Sequence, residues 1–136
     1  MRLVLKLDIP AEARFLSVTR RTMEEYLQEA GLPLDERADV VLALDEACAN
    51  VIRHAFPGRV GRIRVAAEVD GGQAAVRVED DGVGFDPTVP RPVPAPYATS
   101  GRGLRIIGAL MTSVELESPT ASGGTRVVMH RRLATS

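Results

Sequence analysis

The sequence predicts an α+β domain of two layers, an α/β sandwich in which a mixed, mostly antiparallel sheet carries its helices on one face. Three observations predict it. Five short segments alternate apolar and polar residues with a period of two, three longer segments repeat their apolar residues at helical spacing, and the order reads β-α-α-β-β-α-β-β. With 136 residues, 45% of them hydrophobic, the chain fits a single domain over 1–136 with a core of its own. No internal repeat and no linker divides it.

Leu3, Leu5 and Leu7 alternate with Arg2, Val4 and Lys6 as a first strand. Pro10 suits the first position of a helix, with Glu12 in its first turn. Phe15, Val18, Thr22, Met23, Tyr26, Leu27 and Ala30 then recur helically until Gly31 and Pro33. A second helix is expected from about Leu34 to Ala55, closed by Phe56-Pro57-Gly58. Ile63, Val65, Ala67 and Val69 form a second strand, and Asp70-Gly71-Gly72 turns it into a third. A short helix is expected from Gly103 to about Met111. A fourth strand holds Val114 and Leu116, and a fifth carries Thr125, Val127 and Met129 on one face after the Ser122-Gly123-Gly124 turn.

Between Asp86 and the glycine turn at 101, Pro87, Pro90, Pro92, Pro94 and Pro96 interrupt a stretch with no apolar period. Proline removes backbone donors and favours extended conformations, so the segment is expected as a mobile loop that closes over a ligand. A net charge of −1 gives no reason to expect nucleic acid or a membrane surface as partner. His130, Arg131 and Arg132 read as a solvated strand end. A lone cysteine excludes an internal disulfide, and no run approaches membrane-spanning length. A cytoplasmic protein is expected.

On a helical wheel, Val40, Val41, Leu44, Cys48, Val51, Ile52 and Ala55 share one arc of the second helix. Glu46, Asn50 and Arg53 fall opposite, flanked by Ala43 and Ala49. Glu46 is either part of a solvated face or a base that takes a proton from an attacking hydroxyl. Asn50, a mediocre residue for a helix interior, can offer an oxygen to Mg²⁺, which needs few protein ligands. In the third strand, alternation puts Asp80 on the face of Val76 and Val78, and Asp81 on the other. A buried carboxylate is costly unless satisfied, either by backbone amides at the turn or by a ligand donor such as the exocyclic amine of adenine. Gly82 and Gly84 permit positive φ and close approach to a flat ring.

Gly101-Arg102-Gly103-Leu104 opens a helix whose amides and dipole can face phosphate oxygens, or it simply caps that helix. It is neither a Walker A loop nor a dinucleotide fingerprint. Thr125 starts its strand inward, where its hydroxyl can reach the same place. Cys48, on the apolar arc, reads as a structural thiol. His54 reads as packing at the helix end, and neither His54 nor His130 forms a metal cluster with it.

Three segments, Leu44 to Phe56, Asp80-Asp81-Gly82-Val83-Gly84-Phe85-Asp86 and Gly101 to Ile107, together resemble the bacterial anti-sigma-factor serine/threonine kinases. These are small members of the histidine-kinase-like ATPase superfamily, which has the Bergerat ATP-binding fold. The resemblance covers nearly the whole chain. It implies Glu46 as catalytic base, Asn50 as Mg²⁺ ligand, Asp80 on the adenine amine, Gly84 at the base pocket, and Gly101 and Gly103 supporting the phosphates; Gly82, Arg102, Leu104 and Thr125 are further candidate nucleotide-binding residues. It also implies ATP and Mg²⁺ as cofactors. The implied substrate is a serine or threonine of a STAS-type anti-anti-sigma factor, the implied second partner an RNA polymerase sigma factor, and the implied assembly a homodimer. The proline-rich lid from Pro87 to Thr99 departs from that pattern. Two rival readings are a nucleotide-gated partner-binding module with little kinase activity and a stand-alone ATPase domain of a histidine-kinase-like signalling system.

Overall fold

A computed structural model describes residues 3–84, 101–121 and 123–134, with the backbone alone for 101–104. The loop expected as a lid, from Pro87 to Ser100, lies outside the described residues. Among the described residues five strands form one sheet: β1 (Val4–Pro10), β2 (Arg62–Asp70), β3 (Gln73–Asp80), β4 (Ser113–Glu117) and β5 (Thr125–Arg132). Their order across it is β1-β2-β3-β5-β4, and every pairing among the described strands is antiparallel, so the parallel component allowed by the word "mixed" is not seen there. Helices α1 (Leu16–Glu29), α2 (Leu34–His54) and α3 (Gly101–Leu110) complete the expected order.

Each strand presents its alternate residues to the helices. Leu7, Val65, Val78 and Val127 lie side by side across four strands, as do Ala67, Val76 and Met129 across three. Met23 and Leu27 of α1, Leu44 and Cys48 of α2 and Ile107 of α3 close over them, and all five are buried. The β2–β3 turn is the two-residue hairpin anticipated, with Asp70 opposite Gln73 and Gly71 at φ +37°. No helix of the described residues is long and apolar enough to cross a membrane.

The first helix does not start at Pro10. That residue ends β1 opposite Arg62, an edge-strand position where a missing N–H costs little. A short 3₁₀ turn over Ala13–Phe15 then leads into α1. The buried face of α1 is Thr19, Met23, Tyr26 and Leu27, while Val18 is exposed, because the helix rests on β1 and β2 through Tyr26. The Tyr26 hydroxyl donates to the carbonyl of Leu3 at 2.6 Å and accepts from the Val69 amide at 3.2 Å. The strand end at Arg131 is not simply solvated. Its guanidinium turns inward, pairing with Asp39 of α2 at 2.8 Å and donating to the carbonyl of Leu110 at the end of α3.

Candidate nucleotide site

Asp80 is the last residue of β3, flanked across the sheet by Ile63 of β2 and Thr125 of β5. It is 3% exposed and points with the apolar face, as the alternation required. Burial raises its carboxyl above the usual carboxylate range, and the backbone N–H groups of Gly82 and Thr125 pull it part of the way back. The Gly82 amide donates to Oδ1 at 2.8 Å. Asp81 faces the other way, in a two-pronged pair with Arg64 at 2.8 and 2.9 Å. Of the adjacent acids, only Asp80 enters the interior.

Gly82 and Gly84 serve close approach, not positive φ, which neither adopts. A Cβ on Gly82 would run into the carbonyl oxygen of Ala55, just past the end of α2. A Cβ on Gly84 would stand 2.6 Å from the carbonyl of Gly123 and 2.9 Å from that of Gly124. Val83 donates its N–H to the Ala55 carbonyl at 2.8 Å. The exit of β3 is thereby fastened to the end of α2, within about 8 Å along the helix of Asn50 and about 14 Å of Glu46 at 1.5 Å per residue.

Asn50 departs from the wheel reading. It is 2% exposed, buried along with Ala43 and Ala47, because α3 packs along this flank of α2 and widens the covered arc beyond the sheet-facing stripe. Its Oδ1 accepts from Nη2 of exposed Arg53 at 2.7 Å, and its Nδ2 is buried without a hydrogen-bond partner among the described residues. His54 Nε2, one turn on, is the other such atom among the described residues. Burial, and then the charge of Arg53, lowers the His54 pKa, which keeps the imidazole neutral at physiological pH. Glu46 is half-buried, with its carboxylate unpaired among the described residues. Its neighbour Asp45 is committed to Arg20 of α1 at 2.8 Å, so the structure separates a structural acid from an available one.

Gly101 does open α3, and the helix begins two residues earlier than expected. Arg102, Gly103 and Leu104 lie in its first turn, with their side chains outside the described set. The far end of α3 is held beside the N-terminal half of α2 by Arg131, which bonds both Asp39 and Leu110. This helix of ten residues, about 15 Å long, packs against α2. Thr125 is buried at 5% exposure, and its hydroxyl shares a 2.8 Å hydrogen bond with Ser118 Oγ.

Ser118 and Gly124 were not legible as site residues. Gly124 passes so close to Asp80 that a Cβ would overlap the Asp80 carbonyl. The signal in the sequence was the glycine pair before Thr125, which reads as a turn until β5 is seen to run beside β3. Cys48 is buried, its thiol pushed up to about 12 by burial and then by Asp45. No group of three or more potential metal-ligating His, Cys, Asp or Glu residues occurs among the described residues. Hollows of about 270 and 330 Å³, near Lys6, Ala66 and Arg77 on the sheet face opposite the helices, contain none of the candidate residues.

The sequence profile of the histidine kinase-like ATPase domain matches residues 9–131. The serine-protein kinase RsbW of Bacillus cereus (strain AH187) is 30% identical over 121 residues, covering 82% of this chain and 76% of the relative. The protein of the same name from Bacillus anthracis matches equally. Among solved structures, the RsbU and RsbW domains of a Mycobacterium tuberculosis protein superpose with a TM-score of 0.73 over 98% of this chain, at 24% identity. The blue-light activated histidine kinase of Erythrobacter litoralis superposes at 0.58 over 75%, at 26% identity. This chain spans about a third of each of those two solved chains, 33% and 32%.

Proposed function

The chain belongs to the histidine kinase-like ATPase domain family, and from that premise we propose that it is an ATP-dependent protein serine/threonine kinase of the partner-switching kind. Its substrate on this reading is a hydroxyl of a STAS-type anti-anti-sigma factor, and in the unoccupied state it holds an RNA polymerase sigma factor, working as a homodimer in the cytoplasm. The observation that carries the proposal is the fastening of the Asp80–Gly84 turn to the end of α2 by Val83 and Ala55. It joins a buried carboxylate suited to an amine with a helix that carries a buried carboxamide and Glu46, which is unpaired among the described residues. The names of the RsbW relatives support the choice of serine kinase over histidine kinase.

Each role follows from local chemistry. Asp80, a buried acceptor at the end of β3, accepts a hydrogen bond from the exocyclic amine of adenine, while Gly82 and Gly84 leave room for the ring. The first turn of α3, Gly101 to Leu104, offers backbone amides to phosphate oxygens. Thr125 lies beside Asp80 with its hydroxyl already held by Ser118, which fixes its orientation. Glu46 accepts the proton of the attacking hydroxyl and aligns it.

The residues present fit Mg²⁺. The Asn50 oxygen already faces a cation, the Arg53 guanidinium, and Mg²⁺ takes one or two protein oxygens with water and phosphate completing its shell. Asn50 would hold it. Bound there, the metal would neutralise charge on the phosphoryl oxygens.

The deciding experiment is transfer of labelled γ-phosphate from ATP to candidate STAS-domain proteins. Acid-stable label on serine or threonine is the expected result. Acid-labile label, or tight partner binding with no label at all, would favour one of the two rival readings.

A further inference from the structure

Arg53 holds the carboxamide oxygen of Asn50. A guanidinium can only donate, so the Asn50 atom it meets at 2.7 Å is the carboxamide oxygen, and the amide nitrogen is turned away without a partner among the described residues. That oxygen is the only side-chain atom of Asn50 able to ligate Mg²⁺. The two members of the pair differ in freedom. Asn50 is 2% exposed and fixed in packing, whereas Arg53 reaches it from the exposed side of the last turn of α2 and forms no ion pair with the described residues. The oxygen stays; the cation can leave.

On the reading of α2 as one wall of an Mg²⁺–ATP site, we propose that Arg53 is a built-in counter-cation. It holds Asn50 Oδ1 while metal is absent and yields that oxygen when metal arrives. Two cations at contact distance repel each other, so metal and guanidinium exclude one another at Oδ1. A long, exposed stem lets the displaced guanidinium swing toward nearby phosphate oxygens, for which its planar fork is suited. The arrangement has two consequences of opposite sign. Arg53 supports nucleotide binding without metal, by supplying positive charge in its place, and it weakens the hold on metal, by competing for the oxygen. A residue that merely placed positive charge at the C-terminal end of α2, without holding Oδ1, would keep both effects in full when replaced by lysine.

The test uses the full chain and the variants Arg53→Met, which keeps the stem and removes the charge, and Arg53→Lys, which keeps the charge without the fork. Arg53 is exposed, so neither disturbs the core. ATP affinity is measured by calorimetry in EDTA and across a series of Mg²⁺ concentrations. In Arg53→Met, metal-free ATP affinity should fall about three- to fivefold, and the Mg²⁺ concentration giving half its effect should fall by a similar factor. Arg53→Lys should lie between Arg53→Met and the unaltered chain on both measures. An equal change with and without metal, or an unmoved half-effect concentration, overturns the proposal while leaving the ATP site intact. Failure of the unaltered chain to bind ATP under either condition overturns the ATP reading and this inference with it.

Discussion

Val83 donates its backbone N–H to the carbonyl of Ala55 across 2.8 Å, tying the turn after Asp80 to the helix that bears Glu46 and Asn50. Two candidate regions 30 residues apart in sequence therefore meet through a main-chain contact, which a side-chain substitution at Val83 leaves in place. Gly82 is the vulnerable point. In Gly82→Ala the new methyl would overlap the Ala55 carbonyl and push the turn off the helix end. Overpacking of this kind costs about 1–3 kcal/mol, so thermal unfolding should begin lower and ATP affinity should fall together with it. Gly72→Ala is the control, because its Cβ would meet nothing within 4 Å.

Glu46→Gln should leave ATP affinity within a few-fold of the unaltered protein and reduce phosphoryl transfer by roughly 10²–10⁴, the usual contribution of a general base. The carboxylate makes no pair among the described residues, so melting temperature should not move. Single-turnover transfer to a partner protein, run beside calorimetric ATP binding, separates the two effects. Near-normal transfer would return Glu46 to the solvated surface.

Asp80→Asn should weaken ATP and ADP alike, since both carry the same base, by roughly 10- to 100-fold for loss of a charged acceptor. The free protein should meanwhile become more stable at pH 7. Burial raises the folded-state pKa of Asp80, so its contribution is favourable at acid pH and is lost as pH rises through that folded value. Ionising the buried group above that value carries a net cost, which an amide, unable to ionise, avoids. A melting temperature that drops at pH 7, or ATP affinity lowered without a matching change for ADP, would contradict the assignment.

Asn50→Ala should make ATP affinity nearly insensitive to Mg²⁺, because the single carboxamide oxygen is gone. Titration of ATP with and without EDTA reads this directly. A full metal response in the variant would place the metal on other residues.

Cys48 should resist thiol reagents in the folded protein and react only on unfolding, which makes it a probe of global opening. Its folded pKa is raised from 9.0 to about 12, so the stabilisation linked to its proton is complete below the unfolded value and is lost as pH climbs from about 9 toward 12. Rapid labelling at pH 8 in native buffer would show that α2 opens locally.

The sequence by itself determined the elements and their order. Apolar periods of two and of 3.6 are properties of local backbone geometry, and they placed five strands, α2 and the Asp70–Gln73 hairpin with little error. They also distinguished Asp80 from Asp81, because alternation along a strand is fixed by the pleat whatever lies beyond it. Where an outcome depended on contacts from distant parts of the chain, local pattern could not decide it. Pro10 went to the strand because an edge position opposite Arg62 tolerates a missing donor. Asn50 went inside because α3 covers a flank of α2 that no wheel assigns to a core. Gly82 and Gly84 were needed for the main chains pressed against them and not for their torsions, and Gly124 and Ser118 joined the site only because β5 runs beside β3. Burial is a sum over neighbours brought together by folding. The pairing of Arg53 with Asn50 was within helical reach in the sequence, but only the tertiary structure, by burying the one and exposing the other, decided which of the two is fixed and which is free to move.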